Sequence, residues 1–209
     1  HNLHGPKEET IVKIFCTNLG EKDVIGKTSD YEAWIISSLS KKSKNIFEFG
    51  TCSGKTTALM AMNSPEDAKI VTITINLDQA KNLDLDSNDN KTSVRNILNE
   101  SQYEKFIFSG KKFEDKIDVK FLDSRKLDTS PYQKKFDLIF IDGGHTYSII
   151  KNDTEKAFEM IKQGGIVLWH DYVPFKKSCK DVVKLIEEIS KEKKIFHVEE
   201  TSLCFYKAN

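Results

Sequence analysis

Apolar residues recur along the chain in short blocks separated by polar punctuation. Tyr31, Trp34, Ile35, Ile36 and Leu39 fall at helical spacing behind Ser29-Asp30, so a capped helix of about three turns is expected there. The run Asn45-Ile-Phe-Glu-Phe-Gly50 stops at a glycine, and Thr56 to Met62 follows as a helix after a tight turn. Strand-like runs return at Ile70 to Ile75, Val119 to Leu122, Phe136 to Ile141 and Ile166 to Trp169. Helices are expected over Ile149 to Lys162, closed by Gly164-Gly165 as a C-cap, and over Lys180 to Lys193. Ile195 to Val198 and Ser202 to Tyr206 end the series as strands. Continuous apolar strands alternating with helices predict an α/β fold, with a mostly parallel sheet covered on both faces and an antiparallel strand at its C-terminal edge. In such sheets ligands bind beyond the carboxyl ends of the strands.

Composition narrows the reading. The 209 residues are 38% hydrophobic, with 32 basic side chains against 32 acidic ones, which suits a single domain, 1–209. No apolar run approaches the ~18 residues of a membrane-spanning helix. Zero net charge, and only Arg95 and Arg125 as arginines, argue against a nucleic-acid partner. Cys16, Cys52, Cys179 and Cys204 stand far apart, which suits reduced thiols and a cytoplasmic setting. The chain opens His-Asn-Leu-His-Gly-Pro without an initiator Met or signal-peptide pattern, and 1–28 reads as an N-terminal extension. The stretch 78–118 breaks the rhythm. It is polar apart from Tyr103, Phe106, Ile107 and Phe108, and its length suggests an insertion that forms part of a lid.

Chemistry concentrates after the strands. Gly50-Thr-Cys-Ser-Gly54-Lys55-Thr56 resembles a phosphate-binding loop but is one residue short of G-x-x-x-x-G-K-[ST]. A nucleotide hydrolase is therefore one alternative. The same residues fit acidic-x-Gly-x-x-x-Gly without a gap. Phe136-Asp-Leu-Ile-Phe-Ile-Asp142-Gly-Gly-His145-Thr-Tyr147 and Gly164-Gly165-Ile-Val-Leu-Trp-His170-Asp171-Tyr172 follow on successive strand ends. With these three motifs in order, the chain resembles class I S-adenosylmethionine-dependent methyltransferases. The similar branch carries D-G-x-H-x-Y and H-D-Y motifs and acts on sugars and small natural products.

That resemblance implies a Rossmann-like, doubly wound sheet of about seven strands, with S-adenosylmethionine as cofactor and a small-molecule or sugar hydroxyl as methyl acceptor. It places the cofactor against Glu48, Gly50, Thr51, Ser53, Gly54, Asp123, Ser124 and Asp142. Asn76 stands where the family usually has an acid for the ribose. Catechol O-methyltransferase-like enzymes use D-x-x-K and D-N for magnesium and base. Here His145 would be the base and Asp142, Asp171 and His170 the ligands of a divalent cation, with the missing asparagine leaving magnesium open and imidazole better suited to other metals. A non-catalytic binding module and a hydroxylase on the same scaffold are the remaining alternatives, and a homo-oligomer stays open.

Overall fold

The computed structural model describes residues 11–14, 28–84 and 91–209, without the side chains of 91–94. Most of the N-terminal extension, Cys16 included, and residues 85–90 lie outside this description. In chain order the elements are α1 (Asp30–Ser40), β1 (Asn45–Phe49), α2 (Lys55–Asn63), β2 (Lys69–Thr74), α3 (Leu77–Lys81), α4 (Lys91–Glu100), β3 (Ile117–Phe121), β4 (Phe136–Ile141), α5 (Tyr147–Met160), β5 (Ile161–Trp169), α6 (Lys180–Ile189), β6 (Ile195–His197) and β7 (Cys204–Lys207).

Seven strands form one sheet in the order β3-β2-β1-β4-β5-β7-β6. The first five are mutually parallel, and β7 runs antiparallel to both β5 and β6. The antiparallel strand therefore lies inside the edge, with β6 outermost. Continuous apolar runs follow from burial on both faces. Ile46, Leu138, Phe140 and Leu168 pack with Ile36 of α1 and Met60 of α2. Phe47, Ile139, Val167 and Trp169 pack on the other face with Met160 of α5 and Leu185 of α6. Trp169 is fully buried, its Nε1 donating to Thr154 Oγ1 at 2.9 Å. No helix among the described residues is long and apolar enough to cross a membrane.

The glycine stop signal needs correcting. Helix α5 ends at Met160 and β5 begins at the next residue, so Gly164 and Gly165 lie within the strand instead of capping the helix. Gly164 N–H donates to Ala208 O at 2.8 Å. A Cβ on Gly165 would stand 2.9 Å from Phe136 O, where the β4–β5 register is irregular. Close approach of two backbones, not helix termination, requires glycine here.

Strand ends β1, β2 and β4 are tied together by Gly50 N–H to Ile73 O and Asp142 N–H to Phe49 O, both at 2.9 Å. Gly50 has φ +98°, and a Cβ there would meet Asp142 O at 2.3 Å. Gly50→Ala should therefore cost about 3 kcal/mol or more from strain and overlap together. Gly110→Ala, with φ +74° but open space around it, should cost only about 1 kcal/mol. Urea unfolding of both variants checks the difference.

Candidate active site

A cavity, partly open to solvent, lies beyond the carboxyl ends of β1 to β4. Gly50 and Cys52 after β1, Thr74 and Ile75 at the end of β2, Asp123 and Ser124 after β3, and Asp142 to Gly144 after β4 form much of its wall. Ile97, Glu100 and Ser101, from the end of α4 onward, complete it. Leu83 and the end of α4 thus bring the described parts of the 78–118 stretch against the site. Ala80 of α3 and Ile97 of α4 pack with Ile149 of α5.

The expected cofactor residues divide. Gly50, Asp123, Ser124 and Asp142 face the cavity, whereas Glu48, Thr51, Ser53, Gly54 and Asn76 are not part of its lining. Phe108 covers Gly54, where a Cβ would meet the ring at 2.7 Å, and Ile107 N–H donates to Ser53 O. The start of α2 is therefore covered by the 78–118 stretch. Asn76 caps α3, its side chain accepting from Gln79 N–H at 2.9 Å. Lys55 donates to Thr28 O at 2.9 Å, an orientation unlike that of a phosphate-binding lysine.

Glu48 is fully buried and accepts from the hydroxyls of Thr57 and Thr72, while its Oε1 has no partner. Burial, only partly opposed by these hydroxyls, pushes it up to about 8. Asp123 is held by Arg125, whose Nη2 lies 2.8 Å from Oδ2. Burial works against its charge, but the Arg125 bonds prevail and lower its pKa. Asp153 on α5 lines the cavity, a placement that its position within a helical stretch does not announce. Burial raises it to about 7 against hydrogen bonds from Ser124 and Asn152.

Beside the cavity stands a charge cluster built from the ends of β4 and β5. His145 Nε2 is 2.6 Å from Asp171 Oδ2, and His170 Nδ1 is 3.0 Å from Asp142 Oδ1 and 3.7 Å from Asp171 Oδ2. Burial disfavours both imidazolium forms. For His145 the hydrogen bond and charge of Asp171 outweigh it, and for His170 Asp142 leads, so both pKa values rise. The same two histidines hold Asp171 far below the carboxylate range against its burial. Asp171 itself has φ +62°, a conformation that aspartate tolerates better than most residues.

Glu32 was not anticipated as a site residue. Its Oε2 accepts from Ser29 in the capping box of α1 and lies 3.5 Å from His170 Nε2. Its Oε1 accepts from Ser202 N–H and Oγ at 2.8 and 2.7 Å. Burial opposes its charge, but His170 and these bonds hold it well below the usual range. Ser29-x-x-Glu32 was readable as a cap, but the reach to Ser202 was not. Tyr147, by contrast, donates to Glu188 Oε2 at 2.5 Å on α6, outside the cavity.

Asp142, His170 and Asp171 each offer one ligand atom within 4.8 Å of the others. Two carboxylates and an imidazole fit a divalent ion of the kind that accepts nitrogen ligands.

A family model described as a methyltransferase domain matches residues 47–172. No curated protein sequence matches the chain. Among solved structures, a Staphylococcus aureus protein provisionally described as a caffeoyl-CoA O-methyltransferase aligns with TM-score 0.62 and 18% identity, covering 87% of this chain and 84% of that one. The Bacillus cereus O-methyltransferase, in complex with SAH, aligns with TM-score 0.55 and 14% identity, covering 87% and 82%. TomG from Streptomyces achromogenes, an O-methyltransferase in complex with SAM, gives TM-score 0.55 and 13% identity, covering 87% and 81%. These likenesses establish the shared fold.

The titrations carry a stability consequence. A carboxyl whose folded pKa exceeds its unfolded one binds its proton more tightly when folded, so it loses stability as pH rises between the two values. Glu48 does so from about 4.5 to about 8, and Glu100 and Asp153 do so up to about 7. Raised His145 and His170 stabilise fully below their unfolded pKa of 6.5 and lose that contribution as pH passes their folded values. Depressed Glu32 and Asp171 lose theirs only in more acidic solution. The melting temperature should therefore fall between pH 5.5 and 8.5, and Glu48→Gln should flatten that fall by more than about 3 °C. Calorimetric melts across the range test this.

Proposed function

The chain belongs to a methyltransferase-domain family, and from that premise we propose that it transfers the methyl group of S-adenosylmethionine to a hydroxyl of a small molecule or sugar. One observation carries the reading: the cavity bounded by Gly50 and Asp142 opens beside the His145–Asp171 pair. Cofactor and proton acceptor can then meet at one point. Asp123 and Ser124 would take the adenine, because a carboxylate can accept from an exocyclic amine. Lys55 turned to Thr28 gives the nucleotide-hydrolase alternative no support.

Methyl transfer to oxygen needs an acceptor that is held in line with the sulfonium and relieved of its proton. His145 is the proposed base. Asp171 orients the ring and stabilises the charge it acquires, as the carboxylate does in other His–carboxylate pairs. Asp171 favours the protonated imidazole, so His145 accepts the acceptor's proton only from its neutral form. Asp142 and Asp171 flank the acceptor, and His170 is held through Nδ1 by Asp142, with Glu32 3.5 Å from its Nε2. Asp142, Asp171 and His170 would hold a divalent ion, which when bound would polarise the acceptor oxygen as a Lewis acid. Widely spaced cysteines support a reducing, cytoplasmic setting.

Calorimetric titration with S-adenosylmethionine and S-adenosylhomocysteine, with and without a divalent ion, tests the cofactor. Micromolar binding of both and none of magnesium-ATP is expected. ATP binding alone would sink the reading. On a panel of hydroxylated acceptors with methyl-labelled cofactor, His145→Gln should lose at least about 100-fold in turnover while still binding cofactor.

The segment from α3 to β3 is further proposed to act as a lid, on the support of Ile97 and Glu100 at the cavity wall. Cofactor should slow limited proteolysis within 78–118. Unchanged cutting would count against it.

A further inference from the structure

Four carboxyl side chains line the cavity, those of Glu100, Asp123, Asp142 and Asp153, and no described Lys or Arg side chain does. Three of the four are committed to protein donors. Arg125 holds Asp123, Asn152 donates to Asp153, and His170 faces Asp142. Glu100 differs: its carboxyl makes no hydrogen bond or ion pair with any described residue, although it is half-buried at the end of α4. Burial, helped by the charges of Asp142 and Asp171, raises it to about 7 against the opposing charges of His145 and Lys176.

Asp123 follows β3 and Asp142 follows β4, with β2 and β1 between them in the sheet. Glu100 feels His145, Asp142 and Asp171, and Cys52 feels both Glu100 and Asp142. The transferred methyl must arrive where the acceptor can lose its proton, beside His145. The sulfonium therefore belongs at the Glu100 end, and the adenine at the Asp123 end.

Resting on the cofactor reading above, we propose that Glu100 is the residue that distinguishes substrate cofactor from product, its carboxylate facing the sulfonium of S-adenosylmethionine. S-adenosylhomocysteine shares the adenosine, ammonium and carboxylate but is a neutral thioether at sulfur. When the methyl passes to the acceptor oxygen, the S–CH3 bond breaks with its electron pair staying on sulfur, and the acceptor's proton leaves to the base. The attraction to Glu100 disappears in that step, which favours release of the product.

Calorimetric titration of wild-type, Glu100→Gln and Glu100→Asp proteins with each sulfur nucleotide at pH 8 tests the proposal. Wild type should prefer S-adenosylmethionine. Glu100→Gln should weaken S-adenosylmethionine about tenfold, the scale of one partly screened charge pair, and leave S-adenosylhomocysteine within about twofold. Glu100→Asp, which keeps the charge, should retain most of the preference. Equal weakening of both ligands would overturn the proposal, because it would place Glu100 against a shared group or in the fold itself. No change in either would overturn it too. Failure of the wild-type protein to bind either nucleotide would instead remove the cofactor reading, and this inference with it.

Discussion

Where Gly50 passes Asp142, two parallel strands come so close that a single added carbon would overlap a carbonyl oxygen at 2.3 Å. That approach brings the carboxyl ends of β1 and β4 together, and β2 is tied to the same point through Gly50 N–H and Ile73 O. Parallel pairing forces all the strand ends to one edge of the sheet. The cavity, its acidic lining and the charge cluster beside it therefore share one location as a consequence of backbone packing. A side chain at position 50 would have to push β4 away, and with it the two residues, Asp142 and His145, that connect cavity to cluster.

Charge is distributed unevenly around that point. In the cluster of Asp142, Asp171, His145 and His170 each imidazole faces a carboxylate, and Glu32 lies on the far side of His170. The cavity is not compensated, because its carboxyls outnumber its cations. On the proposed reading, the first region would hold and move a proton and the adjacent one would receive a cationic ligand. Methyl transfer from a sulfonium to a hydroxyl asks for both, since a positive charge enters with the cofactor and a proton must leave with the product.

Glu32 links distant parts of the chain. As the third residue of α1 it completes a local cap, and with its other oxygen it binds Ser202 in the turn before β7. A local helix signal and a long-range contact are met by one carboxylate. The N-terminal helix, the last hairpin and His170 are thereby held in a common frame, which keeps the end of β5 in place although Asp171 adopts a left-handed conformation.

Much of this architecture was legible in the chain itself. Apolar blocks of five or six residues marked the strands because burial on both faces leaves no polar alternation to hide them, and His145, His170, Asp142 and Asp171 were readable because their motifs lie directly after such blocks. Gly164 and Gly165 misled, since the same residue type ends a helix or permits two backbones to touch, and only the β4 neighbour decides which. Gly54 carried the family motif and Asn76 stood where the family usually has an acid, yet the first lies under Phe108 and the second caps α3. Glu100 and Asp153 reach the cavity wall, and Glu32 reaches His170, only through contacts far apart in sequence. Local order along a strand or helix is set by neighbouring residues and so can be read from them. Which side chains share a cavity depends on how distant elements pack, and that is decided only when the sheet is assembled.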